Sequence, residues 1–296
     1  MRHIILLALA LAPAFAASLQ IDHVTVAGRD LAALRQAFSD AMGVPTEYGG
    51  AHSNHATEMA LTSFPDGSYL ELMGIPAQAD EAALNAHPWN KFLRNNGGPC
   101  AWAVRASDVA AEVARLKALG LRVGAPEPSG RTRPDGIALQ WETADVGPVP
   151  RGSLFPFLIR DLTPRNNRAY IAGQPTTDRF RGVAKVVIGV RNLDAAIPQY
   201  RRAFDLPEPR RQNDPDFEAD LAWFEGTPVV LAQGTGESSW LARRVAEFGE
   251  APCAFVLALN TGNGVAGGKS SYWFGGFVSW SDTVSLGWRL GVQAVR

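Results

Sequence analysis

The sequence predicts an α+β protein assembled from repeated modules of one strand, one helix and three strands. Three observations predict it. The segment IDHVTVAGRDL at 21–31 is echoed by VAKVVIGVRNL at 183–193. The segment HPWNKFLRNNGGPCAWAV at 87–104 is echoed by WLARRVAEFGEAPCAFVL at 240–257, in the same order and at a similar offset, and two ordered echoes argue duplication. Finally, 29 Gly and 20 Pro residues punctuate the chain, which favours many short elements over long helices.

The chain opens with Arg2 and His3, an apolar run from Ile4 to Ala12, the breaker Pro13, and the small-x-small sequence Ala14-Phe15-Ala16. That order predicts a signal peptide over residues 1–17, cleaved after Ala16 or Ala17. A buried N-terminal helix is the alternative. The apolar run is well short of the roughly 20 residues that a bilayer span needs. No later segment is apolar enough to span, so the mature protein is expected to be soluble and periplasmic or secreted. Its length predicts two domains, 18–163 and 182–296, with 164–181 as connector. The 28 basic and 29 acidic residues balance, leaving no basic stripe for nucleic acid and no polybasic end for a membrane surface. Cys100 and Cys253 are the two cysteines. Export permits a disulfide between them, but two buried thiols is the preferred reading.

The first module begins with the strand at 21, and Asp30 then stands where a helix N-cap is wanted. Leu31, Leu34 and Phe38 mark the buried stripe of the following helix. Strands are expected at about 56–63 and 68–74, turning at Pro65-Asp66-Gly67. A helix near 87–95 leads to a strand at 100–105. A helix over 107–119 presents Val109, Val113, Leu116 and Leu119 and stops at Gly120. Strands near 136–143 and 154–160 complete the second module. In the second half, Asn192 is the cap and Leu193, Ile197, Tyr200 and Phe204 are the stripe. Pro198 inside that pattern predicts a kink or a later start. After Pro252 the fourth module is reduced and lacks an evident helix. NGVAGGKS at 263–270 looks like a phosphate-binding loop, but Asn263 stands where the motif needs Gly, so it is read as a flexible loop in the helix's place.

These residues resemble the vicinal oxygen chelate superfamily, in its glyoxalase-like branch. IDHVTVAGRDLAAL resembles that family's first strand and helix, and DGSYLELMG (66–74) its fourth strand. RTRPDGIALQWE (131–142) and LFPFLIRDLTPR (154–165) resemble the end of its second module. The resemblance covers most of 19–165, less of 182–258 and little of 259–296. It implies tandem modules forming curved mixed sheets around a cavity, a small-molecule ligand and a divalent metal of unspecified identity. It also implies metal ligands at His23 and Glu71. A histidine–carboxylate set with open positions suits several divalent metals.

The matching second-module positions are Pro99 or Ala101 and the strand Phe155–Ile159, none of which ligates. Cys100 has the opposite parity and is expected to point away. In the second half, Lys185 replaces His23 and Leu231 falls where Glu71 would. His23 and Glu71 are therefore either two ligands of an incomplete set or a hydrogen-bonded pair in a metal-free pocket. In the loop GGAHSNHATE, His52 and His55 could complete the set, and His55 is the preferred third ligand or general base. The alternative is two solvated histidines. Trp102, Trp141 and Arg160 are expected to contact substrate, and Arg133 flanks the same strands. Arg131 is expected to be surface charge. The leading expectation is an exported glyoxalase-like protein that binds a small oxygen-bearing molecule as a metal-dependent lyase or isomerase, with Glu71 and His55 catalytic. The alternative is non-catalytic binding or sequestration without metal, and a purely structural role is the third reading. Glutathione dependence is not expected, because an exported protein meets little of that thiol.

Overall fold

The structure is a computed structural model that describes residues 19–260, 268–281 and 288–294. The expected signal peptide and most of the 263–270 segment lie outside the described residues. The chain begins with β1 (Ile21–Ala27), α1 (Leu31–Met42), β2 (Glu47–Ala51), β3 (Glu58–Ser63) and β4 (Tyr69–Gly74). Two short helices, α2 (Glu81–Ala86) and α3 (Asn90–Arg94), lead to β5 (Gly98–Arg105). Then come α4 (Val109–Ala118), β6 (Glu127–Thr132), β7 (Ala138–Ala144) and β8 (Phe157–Asp161). These strands form one sheet of 8 in the order β2-β3-β4-β1-β5-β8-β7-β6. β1 runs parallel to β4 and antiparallel to β5, so the two modules join at the sheet's centre.

After α5 (Arg165–Ala169), the pattern repeats with β9 (Phe180–Gly189), α6 (Leu193–Phe204), β10 (Arg210–Asp214), β11 (Ala219–Trp223) and β12 (Val229–Gly234). The helix α7 (Trp240–Phe248) precedes β13 (Ala251–Leu259), β14 (Ser270–Trp273), β15 (Gly276–Trp280) and β16 (Arg289–Ala294). The second sheet has the same order, β10-β11-β12-β9-β13-β16-β15-β14. Both sheets are mixed and curled. The fourth module, expected to be reduced, has its four strands in the same order as the second, and most of the stretch between β13 and β14 lies outside the described residues. No described helix is long and apolar enough to cross a membrane.

The caps act as the sequence requires. Asp30 accepts a hydrogen bond from the Ala33 amide, and Gly43 closes α1 in the left-handed conformation at φ 65°. Asn192 accepts from the Ala195 amide in the same way. Pro198 neither delays nor ends α6, which starts at Leu193 and runs through it. Leu119 follows α4 rather than packing under it, and is exposed. Two strands escape the sequence reading, β2 (EYGGA) and β6 (EPSGRT). They are the sheet's two edges, where Gly and Pro are tolerated and little is buried.

Strand alternation sorts the side chains onto two faces. Val24, Val26, Leu70 and Leu72 are fully buried against Leu31, Leu34 and Phe38 of α1. The same apolar cluster continues into the second half, where the rings of Phe155 and Tyr200 lie 5.0 Å apart. The side chains between those positions, His23 and Thr25 on β1 and Tyr69, Glu71 and Met73 on β4, face the other way. There the sheet curls until its edges meet, and Arg131 Nη1 of β6 donates to the Gly49 carbonyl of β2 at 2.7 Å. At Gly74 an added Cβ would lie 2.6 Å from the Leu31 backbone nitrogen, so glycine is what lets α1 start directly over β4.

Candidate functional site

The curled first sheet encloses a cavity of about 230 Å3. His23 and Glu71 both line it, as the strand parity predicts. The pairing of His23 with Tyr69 and of Thr25 with Glu71 places them as diagonal neighbours on one face.

His23 is fixed from behind. The β1–β5 register slips between Ile21 and His23, so Asp22 is the extra residue of a bulge. That brings the Asp22 carboxylate within 2.6 Å of His23 Nδ1. The same carboxylate takes two hydrogen bonds from Arg168, at 3.0 and 2.9 Å, and a further one from Arg165. Burial alone would raise the Asp22 pKa. Arg168, the His23 hydrogen bond and Arg165 outweigh it and hold the carboxyl well below its usual range. An ionised Asp22 can only accept, so His23 Nδ1 carries a proton, and in the neutral ring the lone pair is then on Nε2. The ring stacks on Tyr69 at 4.9 Å and meets the edge of Phe157 at 5.4 Å, which leaves it little freedom to rotate.

Glu71 is held at both oxygens. Thr25 Oγ1 donates to Oε2 at 2.9 Å, and His52 Nε2 stands 3.5 Å from Oε1. Burial raises its pKa, but the hydrogen bond with His52, the neighbouring His23 and the Thr25 hydroxyl pull it down to about 2. It is a fixed negative charge on the cavity floor. His52 in turn is anchored through Nδ1 to Thr57 Oγ1 at 2.7 Å. A third histidine, His87, enters from the turn between α2 and α3. Burial first, then the neighbouring His52, lowers its pKa to about 4, so it stays neutral near pH 7. Its Nδ1 accepts from the Trp89 amide at 3.2 Å, which places the proton on Nε2 as a donor.

The other expected residues divide. Trp141 lines the cavity. Trp102 does not: it is fully buried in the cluster under the helices, on the sheet's opposite face. Arg160 lies outside, with 44% of its side chain exposed and paired to Glu142 at 3.3 Å. His55 is also outside. Its backbone is left-handed at φ 56°, its amide donates to the His52 carbonyl, and its side chain is exposed. It shapes the turn that presents His52, so the loop histidine in the cavity is His52. Arg131, expected on the surface, lines the cavity, while Arg133 is buried and ties the β6–β7 hairpin to the carbonyls of Asn167 and Tyr170. Cys100 is a buried free thiol, as is Cys253. A second register slip, between Thr25 and Val26, makes Cys100 the extra residue and sets it among Met73, Trp89 and Phe157, on the side that parity alone would deny it.

The donor set does not fit the metal site that the family resemblance implied. Ala101 and Phe157 stand where the second module's ligands would be, and the Phe157 ring packs against His23 itself. Three guanidiniums, those of Arg131, Arg151 and Arg168, line the same cavity and oppose a cation. Among the described residues, no three His, Cys, Asp or Glu side chains lie together closely enough to hold a metal ion.

The second half does not repeat this site. Lys185 takes the place of His23. The register pairs Val187 with Val230, so Val230 and not Leu231 stands where Glu71 does, and Leu231 faces the helices. Phe217, Trp273 and Trp280 pack on one another at 5.0 Å and fill the curl. Lys185 donates to Gln293 Oε1 at 2.6 Å and lies 5.3 Å from the Trp223 ring. Burial lowers its pKa to about 8. A lowered lysine pKa means that the folded state binds fewer protons between about pH 8 and 10.5, so stability rises through that window. At pH 7 the buried charge is a cost. Lys185→Met is therefore expected to stabilise the protein at pH 7 by about 1–2 kcal/mol, after the loss of the Gln293 bond is subtracted. Urea unfolding at pH 7 and 9.5 checks it: the difference from wild type should shrink at the higher pH.

Comparison with solved structures places this architecture. A hypothetical protein from Staphylococcus aureus shares 12% identity over 93% of this chain and 99% of that chain, with a TM-score of 0.65. A mutant 4-hydroxymandelate synthase from Streptomyces coelicolor shares 13% over 94% and 92%, with a TM-score of 0.58. A Mn(II)-bound glyoxalase from Novosphingobium aromaticivorans shares 13% over 94% and 82%, with a TM-score of 0.50. At such identities the likeness is one of fold. No curated protein matches the chain. The Glyoxalase-like domain family matches residues 21–204, more than half of the sequence. The chain therefore belongs to the Glyoxalase-like domain family.

Proposed function

We propose that the first-half cavity binds a small oxygen-bearing molecule and moves a proton beside its carbonyl group, as a lyase or isomerase does. The observation that carries this reading is His23, whose Nδ1 is held by Asp22 at 2.6 Å while Nε2 faces the cavity it lines. A carboxylate behind an imidazole fixes the basic tautomer and steadies the imidazolium that forms. Nε2 takes a proton from the carbon next to the carbonyl. The C–H electron pair becomes a C=C bond, and the carbonyl π pair moves to oxygen. Glu71, ionised down to about pH 2, offsets the new positive charge on His23. Return of the proton to another position isomerises the ligand, and expulsion of a leaving group makes the step a lyase reaction. The Nε2–H of neutral His87 supplies a donor for the developing oxyanion. Export is part of the proposal and rests on the N-terminal sequence pattern.

The absence of ligating side chains at Ala101 and Phe157 favours a second reading, sequestration without catalysis. Titration calorimetry with pyruvate and 2-oxobutyrate, followed by NMR of the same samples in D2O, separates the two. Binding with protein-dependent exchange of the C3 protons supports proton transfer. Binding without exchange supports sequestration, and no binding of either acid contradicts both.

A further inference from the structure

We infer that the ligand of this cavity is a small monoanionic 2-oxo carboxylate, its carboxylate held by Arg131 and its carbonyl oxygen by His87. The inference rests on the proton-transfer reading above and names its substrate class. It starts from the charges that line the cavity, which are three guanidiniums and one carboxylate. Arg168 is matched by Asp22 and Asp161. Arg151 is matched by Asp145 at 3.1 Å. Glu71 is matched by Thr25 and His52.

Arg131 stands apart. Its one hydrogen bond among the described residues runs from Nη1 to the Gly49 carbonyl, and no described carboxylate lies within ion-pair distance. Burial depresses its pKa, the sign of a cation removed from water without a full counter-charge. A guanidinium has five N–H donors, so one edge of the fork remains for a carboxylate, which it grips with two parallel bonds. The ligand thus brings the charge that the protein leaves out.

Three features narrow the class. Glu71 carries a fixed negative charge on the same cavity, which repels a second anionic group and selects a monoanion. The volume of about 230 Å3 admits only a small molecule. The His87 donor has its other nitrogen fixed by the Trp89 amide, so it offers a hydrogen and no lone pair, which suits an oxygen acceptor such as a carbonyl. A carbonyl beside the carboxylate also acidifies the neighbouring C–H, the bond that His23 is placed to attack.

The test compares pyruvate with its neutral isostere pyruvamide, by calorimetry on wild type, Arg131→Gln, Arg131→Lys and Arg160→Gln. Wild type is expected to prefer pyruvate by about tenfold or more, equal to ~1.4 kcal/mol. Arg131→Gln should remove that preference, weakening pyruvate while leaving pyruvamide within about twofold, and Arg131→Lys should fall between, having charge without the fork. Arg160→Gln, outside the cavity, should match wild type. If Arg131→Gln loosens the seam at Gly49 and fails to fold, the wild-type preference and the lysine variant still decide. Equal affinity for the two probes in wild type overturns the carboxylate assignment and leaves the proton-transfer reading standing. Binding of neither probe overturns both.

Discussion

Asp22→Asn is expected to lower the stability of the fold by about 3–5 kcal/mol, the range found when one partner of a buried ion pair is removed. Asp22 is 1% exposed and serves Arg168, which is itself 4% exposed, together with Arg165 and His23. The substitution leaves those two guanidiniums with Asp161 as their one carboxylate, beside the Tyr69 hydroxyl and the Gly67 carbonyl, and gives the His23 N–H a weaker acceptor. Asp161→Asn should cost less, because Asp161 is 14% exposed and water can replace part of what is lost. The sign with pH follows from the depressed Asp22 pKa. A lowered carboxylate pKa contributes stability above its unfolded value that is lost as pH falls through the folded one. The gap between wild type and Asp22→Asn should therefore narrow in acid. Urea midpoints at pH 7 and pH 3 measure it, with an unchanged slope showing that the same surface unfolds.

His23→Gln is expected to reduce solvent exchange of a bound 2-oxo acid by about 10²–10⁴-fold, the usual contribution of a positioned general base. Glutamine can still donate to Asp22 and lie against Tyr69, so the Arg168 cluster should survive and the unfolding midpoint should move little. Affinity for pyruvate should change by only a few-fold, since neither Arg131 nor His87 is touched. A loss confined to the rate assigns proton transfer to His23. A parallel loss of binding would make it a contact residue instead.

The modules, caps and helix stripes were legible because they repeat local rules: Asp30 and Asn192 cap, Leu31 and Leu193 begin buried stripes, and His23 and Glu71 share strand parity. What escaped was set by register and long-range contact. The bulge at Asp22 turns a strand residue into the support of His23, and the slip beside Thr25 reverses the side on which Cys100 packs. Arg168 sits on a five-residue helix that reads as connector. β2 and β6 carry too few β-favouring residues to be seen as strands, and so Arg131 read as surface although its strand folds back to meet the opposite edge. His55 and His52 are indistinguishable by sequence spacing; the left-handed turn at His55 decides which one enters the cavity.

The central claim is that the side chains of the first-half cavity themselves move the proton. It is tested most directly by NMR-monitored deuterium incorporation at C3 of 2-oxobutyrate in D2O, with chelator-dialysed wild type beside His23→Gln. Exchange is expected to depend on the protein, survive chelation and fall about 100-fold or more in the variant. Exchange that disappears on chelation and returns with Mn²⁺, or that is the same in wild type and His23→Gln, would contradict it.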